Sequence, residues 1–379
     1  MITETSDSSN PTSVPLLEVL NTLLVLESKR QERFYVVGGV VRDVLMGRSA
    51  LDHDVDIVIE GSGLEVAREL GALWQCTVVE HRKFLTAKVK GPFPKTKNGG
   101  DILIEEVDVA TARIERYTTP GSLPEVSPAS IEEDLWRRDF SVNAIALPVA
   151  EYRNFLSQGG AFDGFVSRVV DPTGGVSDIK TSTLRVLHPK SFVDDPTRLF
   201  RAVRYLVRLS FDFDMTTLAG FVEAVKGGCL ATLTPRRVWN EVLVALSESR
   251  VTEVIQEFAD RGLFHELPIV SYSDSTWLLE ALERLERLRS IIGERSFLDA
   301  AKLLLLANLL RSKRDDIAHA LHEGRRVLKR AEVVIKGEEG SLELSGVSDT
   351  AAAYCIHCTK ELRDRLRQSL YEVDHDATR

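Results

Sequence analysis

Two carboxylates one residue apart, Asp54 and Asp56 in Asp52-His-Asp54-Val-Asp56-Ile-Val-Ile59, offer the sharpest chemistry in the chain. On a strand, residues i and i+2 face the same side, so the pair projects together. Two adjacent carboxylates repel, and burying both without a cation would raise a pKa strongly. Hard divalent cations resolve that conflict, and Mg²⁺ typically takes one or two carboxylates together with substrate phosphates. A pair of such ions can activate a hydroxyl and stabilise a pyrophosphate leaving group. An isolated Asp-x-Asp is also what a solvated acidic turn looks like. Here the apolar run Ile57-Val58-Ile59 sets it on a buried strand, with Asp52 as a turn residue. Asp108, in Val107-Asp-Val109, is either a third carboxylate or a surface strand aspartate.

Three further segments carry candidate chemistry. Gly38-Gly39-Val-Val-Arg42-Asp43 lies between a strand and a short helix. A glycine pair there lets backbone amides approach a phosphate, and a helix N-terminus adds partial positive charge. By itself such a pair more often marks just a tight turn. In Asp134-Leu-Trp-Arg137-Arg138-Asp139-Phe-Ser-Val-Asn143-Ala the arginines suit triphosphate oxygens, because a planar fork makes bidentate, charge-assisted bonds. Asn143 shares a face with Asp139 if the segment is helical, a face able to hold a ribose; a capped helix with surface ion pairs is the plainer alternative. In Asp194-Asp195-Pro196-Thr-Arg198-Leu-Phe-Arg201-Ala-Val-Arg204, Asp195 as N-cap and Pro196 at the first helical position mark a helix start. Arg198, Arg201, Arg204 and Arg208 form a basic ridge, which by itself also describes a solvated face. Asp195 with Arg198 pairs an acceptor with a planar donor, able to read a nucleobase edge.

The elements that must position these groups follow from periodicity. A helix over 16–27 precedes strands at 34–37 and 55–59, with a short helix over 40–46 between them and another over 63–73. Strands follow at 76–79, 86–89 and 102–109, then a Pro/Ser/Gly-rich loop over 113–131. From Ile131 the helical period returns and, after a turn-rich stretch at 157–178, persists; helices are expected at 277–292, 297–310, 317–335 and 350–371.

The 379 residues suggest two or three domains. With 48 Lys+Arg against 57 Asp+Glu the net charge is −9, so nucleic-acid binding requires a local basic stripe. Four cysteines are too few for a disulfide scaffold. No apolar run reaches the roughly 18 residues of a membrane span, and the polar, acidic start lacks a signal-peptide pattern. A cytoplasmic setting without a membrane partner is the expectation. Cys355-Ile-His-Cys358 lacks the second half of a zinc site, and the glycine spacing does not match GxGxxG, which excludes a dinucleotide-binding oxidoreductase.

Taken in order, these segments resemble the tRNA nucleotidyltransferase and bacterial poly(A) polymerase family, in its bacterial-eukaryotic class II. GGxVRDxLLG followed by DxD is matched by Gly38–Gly47 and Asp54-Val-Asp56, and RRDFTxNA by Arg137–Ala144. DPxxGxxDL is matched by Asp171–Ile179, EDPxRxLRAxRF by Asp194–Tyr205, and the weaker ERIxxE by Arg236–Glu241. The resemblance implies an α+β nucleotidyltransferase head, a mixed sheet with helices, followed by an all-α neck, body and tail. The implied boundaries are a flexible start and first helix over 1–30, the head over 31–165, a neck with a nucleotide-base template over 166–248, and a tRNA-binding body and tail over 249–379.

By the same resemblance, Asp54 and Asp56 bind Mg²⁺ and carry nucleotidyl transfer. Gly38, Gly39 and Arg42 meet the incoming triphosphate, and Arg138, Asp139 and Asn143 serve triphosphate and ribose. Asp195 and Arg198 template ATP or CTP, with Arg201 and Arg204 in support. Asp171 and Asp178 organise the junction of head and neck, and Glu241 braces the neck. The implied partners are a tRNA 3′ end and ATP and/or CTP. The sequence departs from the pattern at Asp194, where Glu is usual, and at Arg236, where the fifth motif has Glu. CCA addition, CC addition and addition of the terminal A stay open. A poly(A) polymerase of the same architecture is the alternative enzyme, although members of that kind carry a long basic C-terminal region and this chain ends acidic. A non-catalytic RNA-binding protein would have lost an essential carboxylate, yet both Asp54 and Asp56 are present.

Overall fold

Strict alternation of buried and half-buried residues along Glu106–Thr111, and near-continuous apolar runs in Arg33–Val37 and Val55–Glu60, dictate a sheet with both faces at least partly covered. The computed structural model describes residues 14–48, 55–91, 103–104, 106–158 and 166–264, with 282, 283 and 286. In chain order the elements are β1 (Val14–Pro15), α1 (Leu16–Arg30), β2 (Arg33–Val37), α2 (Gly39–Leu45), β3 (Val55–Glu60), α3 (Gly63–Trp74), β4 (Thr77–His81) and β5 (Thr86–Lys90). There follow β6 (Leu103–Ile104), β7 (Glu106–Thr111), β8 (Arg113–Arg116), β9 (Glu125–Pro128), α4 (Ile131–Trp136), β10 (Ala146–Pro148), α5 (Val149–Ser157), α6 (Gly175–Lys180) and β11 (Thr183–Leu184). The remainder comprises α7 (Ser191–Asp194), α8 (Thr197–Leu209), β12 (Asp212–Phe213), α9 (Met215–Lys226), α10 (Pro235–Ala245) and α11 (Val251–Asp260). Two units emerge, Met1–Ser191 with Asp212–Leu218 and Phe192–Phe211 with Ala219–Arg379.

The first unit is built on a six-stranded sheet of order β10-β2-β3-β7-β5-β4. Only β3 and β7 run parallel; every other neighbouring pair is antiparallel. One face is packed by Val19, Leu20 and Leu23 of α1, Val66 and Leu70 of α3 and Tyr152 of α5 against Phe34, Ile57, Val89, Val107 and Val109. The opposite face carries a smaller core of Tyr35, Val37 and Val58 under Ile131 and Leu135 of α4. Period two puts Asp56, Asp108 and Lys88 on this second face. The mixed sheet with helices is the expected head.

Three local expectations change. Within the stretch 102–109 the described residues divide between β6, paired with β1, and β7 of the six-stranded sheet. The loop over 113–131 contains the antiparallel hairpin β8–β9, whose short strands lack a period-two pattern. The segment Arg137–Ala144 is not an α-helix: Phe140 is extended and Ser141–Asn143 form a single 3₁₀ turn before β10. Of the helices expected beyond residue 277, only residues 282, 283 and 286 of the first are described, and these are helical; the rest lie outside the described residues. Among those described, no helix is long and apolar enough to cross a membrane.

In the second unit, α8 buries Leu199, Phe200, Val203 and Leu206. Phe200 meets Phe258 of α11 edge-on at 5.2 Å between ring centroids, a preferred aromatic geometry. The helix begins at Thr197, one residue later than expected, with Asp195 Oδ1 accepting from the Thr197 amide at 3.2 Å.

Gly63 opens α3 where the helix lands on β7. Its amide donates to Thr111 Oγ1 at 2.9 Å, and a Cβ there would fall 2.6 Å from both the Ala110 carbonyl carbon and the Thr111 nitrogen. Backbone cannot yield as a flexible side chain can. Gly63→Ala is therefore expected to lower stability by about 1–3 kcal/mol, read as a reduced urea midpoint at unchanged m-value.

Candidate active site

The turn from β2 into α2 places Gly38 at φ 75°, in the left-handed region that favours glycine. Its amide donates to the Ile145 carbonyl at 3.1 Å, and its own carbonyl accepts from Arg42 N at 3.1 Å. The Gly38 amide expected to meet a phosphate is thus already bonded. What the glycine supplies is space: a Cβ would lie 3.4 Å from Arg138 Nη1 and 3.9 Å from Asp56 Oδ2. Gly38, Asp56 and Arg138 therefore converge on one small cradle.

Arg42 lies under this loop, with its side chain only 2% exposed. Its guanidinium donates from Nε and Nη2 to the two oxygens of Asp43, at 2.9 and 2.8 Å, and from Nη1 to Asn143 Oδ1 at 2.7 Å. Asn143 Nδ2 in turn donates to Asp139 Oδ1 at 3.2 Å, an oxygen that also accepts from the Phe140 amide. Asp139 and Asn143 meet as expected, through a turn rather than a helical face. Arg42 has the placement of a strut beneath Gly39, where a Cβ would come within 3.5 Å of Nη2.

Asp134, which motif reading did not single out, organises the arginines. Ser130 and Glu133 form a capping box that starts α4, and the helical spacing brings Arg137 and Arg138 back to Asp134. Asp134 is fully buried; its Oδ1 accepts from Arg137 Nε at 2.9 Å and the Arg113 amide at 3.1 Å. Its Oδ2 accepts from Arg138 Nε and Nη2 at 3.2 and 3.0 Å. Arg138 Nη1 is left turned to the Gly38 cradle. Burial pushes the Asp134 pKa upward, but Arg138 and Arg137 outweigh it and hold the carboxyl below its usual range.

Asp54 lies outside the described residues. Asp56, exposed on β3, pairs in register with Asp108 on the parallel neighbour β7, so the two carboxylates stand side by side. Lys88 on β5, in register with Asp108, donates to its Oδ2 at 2.9 Å and also bonds Glu106. Motif reading missed Lys88, because nothing in the sequence says which strand neighbours β7.

Asp171 and Asp178 lie in the first unit. Asp171 accepts from the Gly175 and Val176 amides at 2.8 and 2.9 Å. Asp178 accepts from Ser141 Oγ and from Arg185 at 2.7 Å, tying the third motif to the second.

The remaining candidates belong to the second unit. Asp195 Oδ1 accepts from Thr197 Oγ1 and Arg237 Nη2, both at 2.7 Å. Arg198 is buried. Arg201 lies beside the Tyr205 ring, 5.7 Å from its centroid. Arg204 is buried and donates to Glu248 at 3.0 Å and Glu241 at 2.9 Å; Arg208 also bonds Glu248. Arg204 and Arg208 of the expected basic ridge are accordingly paired with acids rather than left as part of one solvated face. Burial raises the Glu241 pKa, with Arg201 and Arg204 pulling the other way.

A scan against family models matches residues 34–185 to the poly(A) polymerase head domain. Among curated proteins, the A-adding tRNA nucleotidyltransferase of Aquifex aeolicus is 36% identical over 260 residues, which are 69% of this chain and 28% of that protein. The CC-adding tRNA nucleotidyltransferase of Deinococcus radiodurans is 32% identical over 242 residues, 63% of this chain and 57% of that one. The chain thus spans between a quarter and three fifths of the length of these relatives. Among solved structures, a CCA-adding enzyme in an apo form aligns with a TM-score of 0.60 and 29% identity, covering 95% of this chain and 83% of the other. A tRNA nucleotidyltransferase complexed with a primer tRNA and an incoming ATP analogue aligns at 0.58 with 28% identity, covering 94% and 99%. The Gly38 cradle, Asp56 on β3 and the Arg137–Asn143 turn all lie within the matched residues.

Asp134 gives the head a testable acid limb. Its folded-state pKa lies below the unfolded value, so its stabilisation is present above the unfolded pKa and lost as pH falls through the folded one. Asp134→Asn is expected to cost about 3–5 kcal/mol at neutral pH by leaving two arginines without their buried partner. Urea titrations across an acid pH series should show a shallower loss of stability in this variant than in the parent.

Proposed function

We propose that the chain is a template-independent, Mg²⁺-dependent nucleotidyltransferase that adds CMP and/or AMP to tRNA 3′ ends. The observation that carries this reading is the convergence of Arg138 Nη1 and Asp56 Oδ2 on the Cβ-free side of Gly38. A cation-seeking carboxylate and a phosphate-seeking guanidinium there face one space. The similarity to A-adding, CC-adding and CCA-adding proteins supports the substrate class.

The donor chemistry suits a hard divalent cation. Asp56 and Asp108 offer oxygen ligands from paired strands. Among the described residues, which exclude Asp54, no cluster of three or more acidic, His or Cys side chains is assembled. Asp54, Asp56 and Asp108 would hold Mg²⁺, which when bound supplies charge neutralisation at the transferring phosphoryl group and acidifies the attacking hydroxyl. The chain's own groups orient the reactants. Arg138, aligned by Asp134, donates from Nη1 to triphosphate oxygens. The Arg42–Asn143–Asp139 relay keeps the ribose-facing turn in place. The RNA 3′-oxygen attacks the α-phosphorus, the P–O bond to the β-phosphate breaks, and pyrophosphate leaves. Asp195 and Arg198 discriminate the base, Arg237 fixing the Asp195 carboxylate.

Nucleotide incorporation on tRNAs ending before CCA, after C or after CC, with labelled CTP or ATP, tests the assignment. Transfer specific to tRNA ends supports it, and the pattern of CTP and ATP use identifies the segment added. Long A tails on oligoadenylate would replace it with a poly(A) polymerase. Asp54→Ala and Asp56→Ala should each abolish transfer while tRNA binding persists; full activity in either overturns the reading. Arg198→Ala should lower the discrimination between CTP and ATP more than it weakens RNA binding, measured as the ratio of kcat/KM values against the tRNA Kd.

A further inference from the structure

Three strands carry one row of charge across the open face of the sheet. Asp56 on β3 is in register with Asp108 on β7, and Asp108 with Lys88 on β5. Lys88 does not point away into solvent: its Nζ is shared between Asp108 Oδ2, at 2.9 Å, and Glu106. Glu106 has a second cation at hand, Lys90 Nζ at 2.6 Å. The Lys88 ammonium thus has two anionic resting places two residues apart on one strand, only one of which adjoins Asp56.

We propose that Lys88 is a positioning residue that sets the divalent-cation affinity of the carboxylate row by occupying Asp108 until a cation displaces it toward Glu106. This rests on the metal-site reading above. An ammonium at hydrogen-bond distance offsets the charge of Asp108 and takes up one of its oxygens, so a cation binding there competes with it. Glu106 makes that displacement short, since Lys88 keeps one carboxylate partner throughout. The row is half-open to water, with Lys88 and Asp108 side chains 37% and 28% exposed, so each exchange is modest in energy.

Mn²⁺ binding to the 379-residue chain without nucleotide or RNA, followed by the loss of the free-ion electron paramagnetic resonance signal, reads this directly. Lys88→Met removes the competitor and is expected to tighten Mn²⁺ about fivefold, the change that corresponds to an exposed ion pair. Lys88→Arg, which keeps a cation, should stay near the parent affinity. Glu106→Gln removes the alternative partner and should weaken Mn²⁺ by a similar factor, an effect that disappears in the Lys88→Met background. A merely structural lysine would not yield opposite signs at residues 88 and 106. Unchanged or weaker Mn²⁺ binding in Lys88→Met, with Asp56→Asn still lowering affinity, overturns this proposal alone. Mn²⁺ binding indifferent to Asp56→Asn overturns the metal-site reading and this proposal with it.

Discussion

A guanidinium withdrawn from water must find acceptors for its charge, and the buried Arg42 finds them on both sides of the fold. Asp43 takes two of its donors and Asn143, 101 residues further along the chain, takes a third. Breaking such a pair from one side leaves an uncompensated buried charge, a penalty of about 3–5 kcal/mol. The loop entering α2 and the turn entering β10 are therefore held as one piece, reinforced by the bond from the Gly38 amide to Ile145. Asp56 and Arg138 converge on Gly38 across this joint. Without it the cradle would be two loops at the ends of adjacent strands.

Charge in this protein is arranged by local matching more than by its net value. Asp134 orients two arginines at once, Glu248 receives Arg204 and Arg208, and Lys88 is divided between two acids. Donors held in this way need little reorganisation when negative charge develops beside them, which is how electrostatic preorganisation acts. The chain's −9 hides such groups because each stands within bonding distance of an opposite charge.

Much of the fold could be read along the chain. The helices α1 and α3 and the strands β2, β3 and β5 follow from strong periodicity and from glycine punctuation, and their observed bounds differ from the expected ones by a few residues. The hairpin β8–β9 and strand β10 were not legible, since their pairing partners, not their own residues, make them strands. The segment Arg137–Ala144 lacks its expected helix, and side-chain bonds among Asp139, Phe140 and Asn143 take the place of the helical ladder.

By itself the sequence determined the inventory and its local order: a glycine pair ahead of a short helix, an Asp-x-Asp with apolar neighbours, an Arg-Arg-Asp run and an Asp-Pro helix start. These are short-range matters of residue type and spacing, which periodicity and turn chemistry decide. Only the tertiary structure decided which groups are buried struts and which face the cradle. Arg42 is a strut, Arg138 is aimed by a buried aspartate, and Arg204 is bound by two glutamates. It also decided that Asp108 and Lys88 join Asp56 in one row. Strand order and register bring those residues together, and they are set by the packing of the whole sheet, which no single segment encodes.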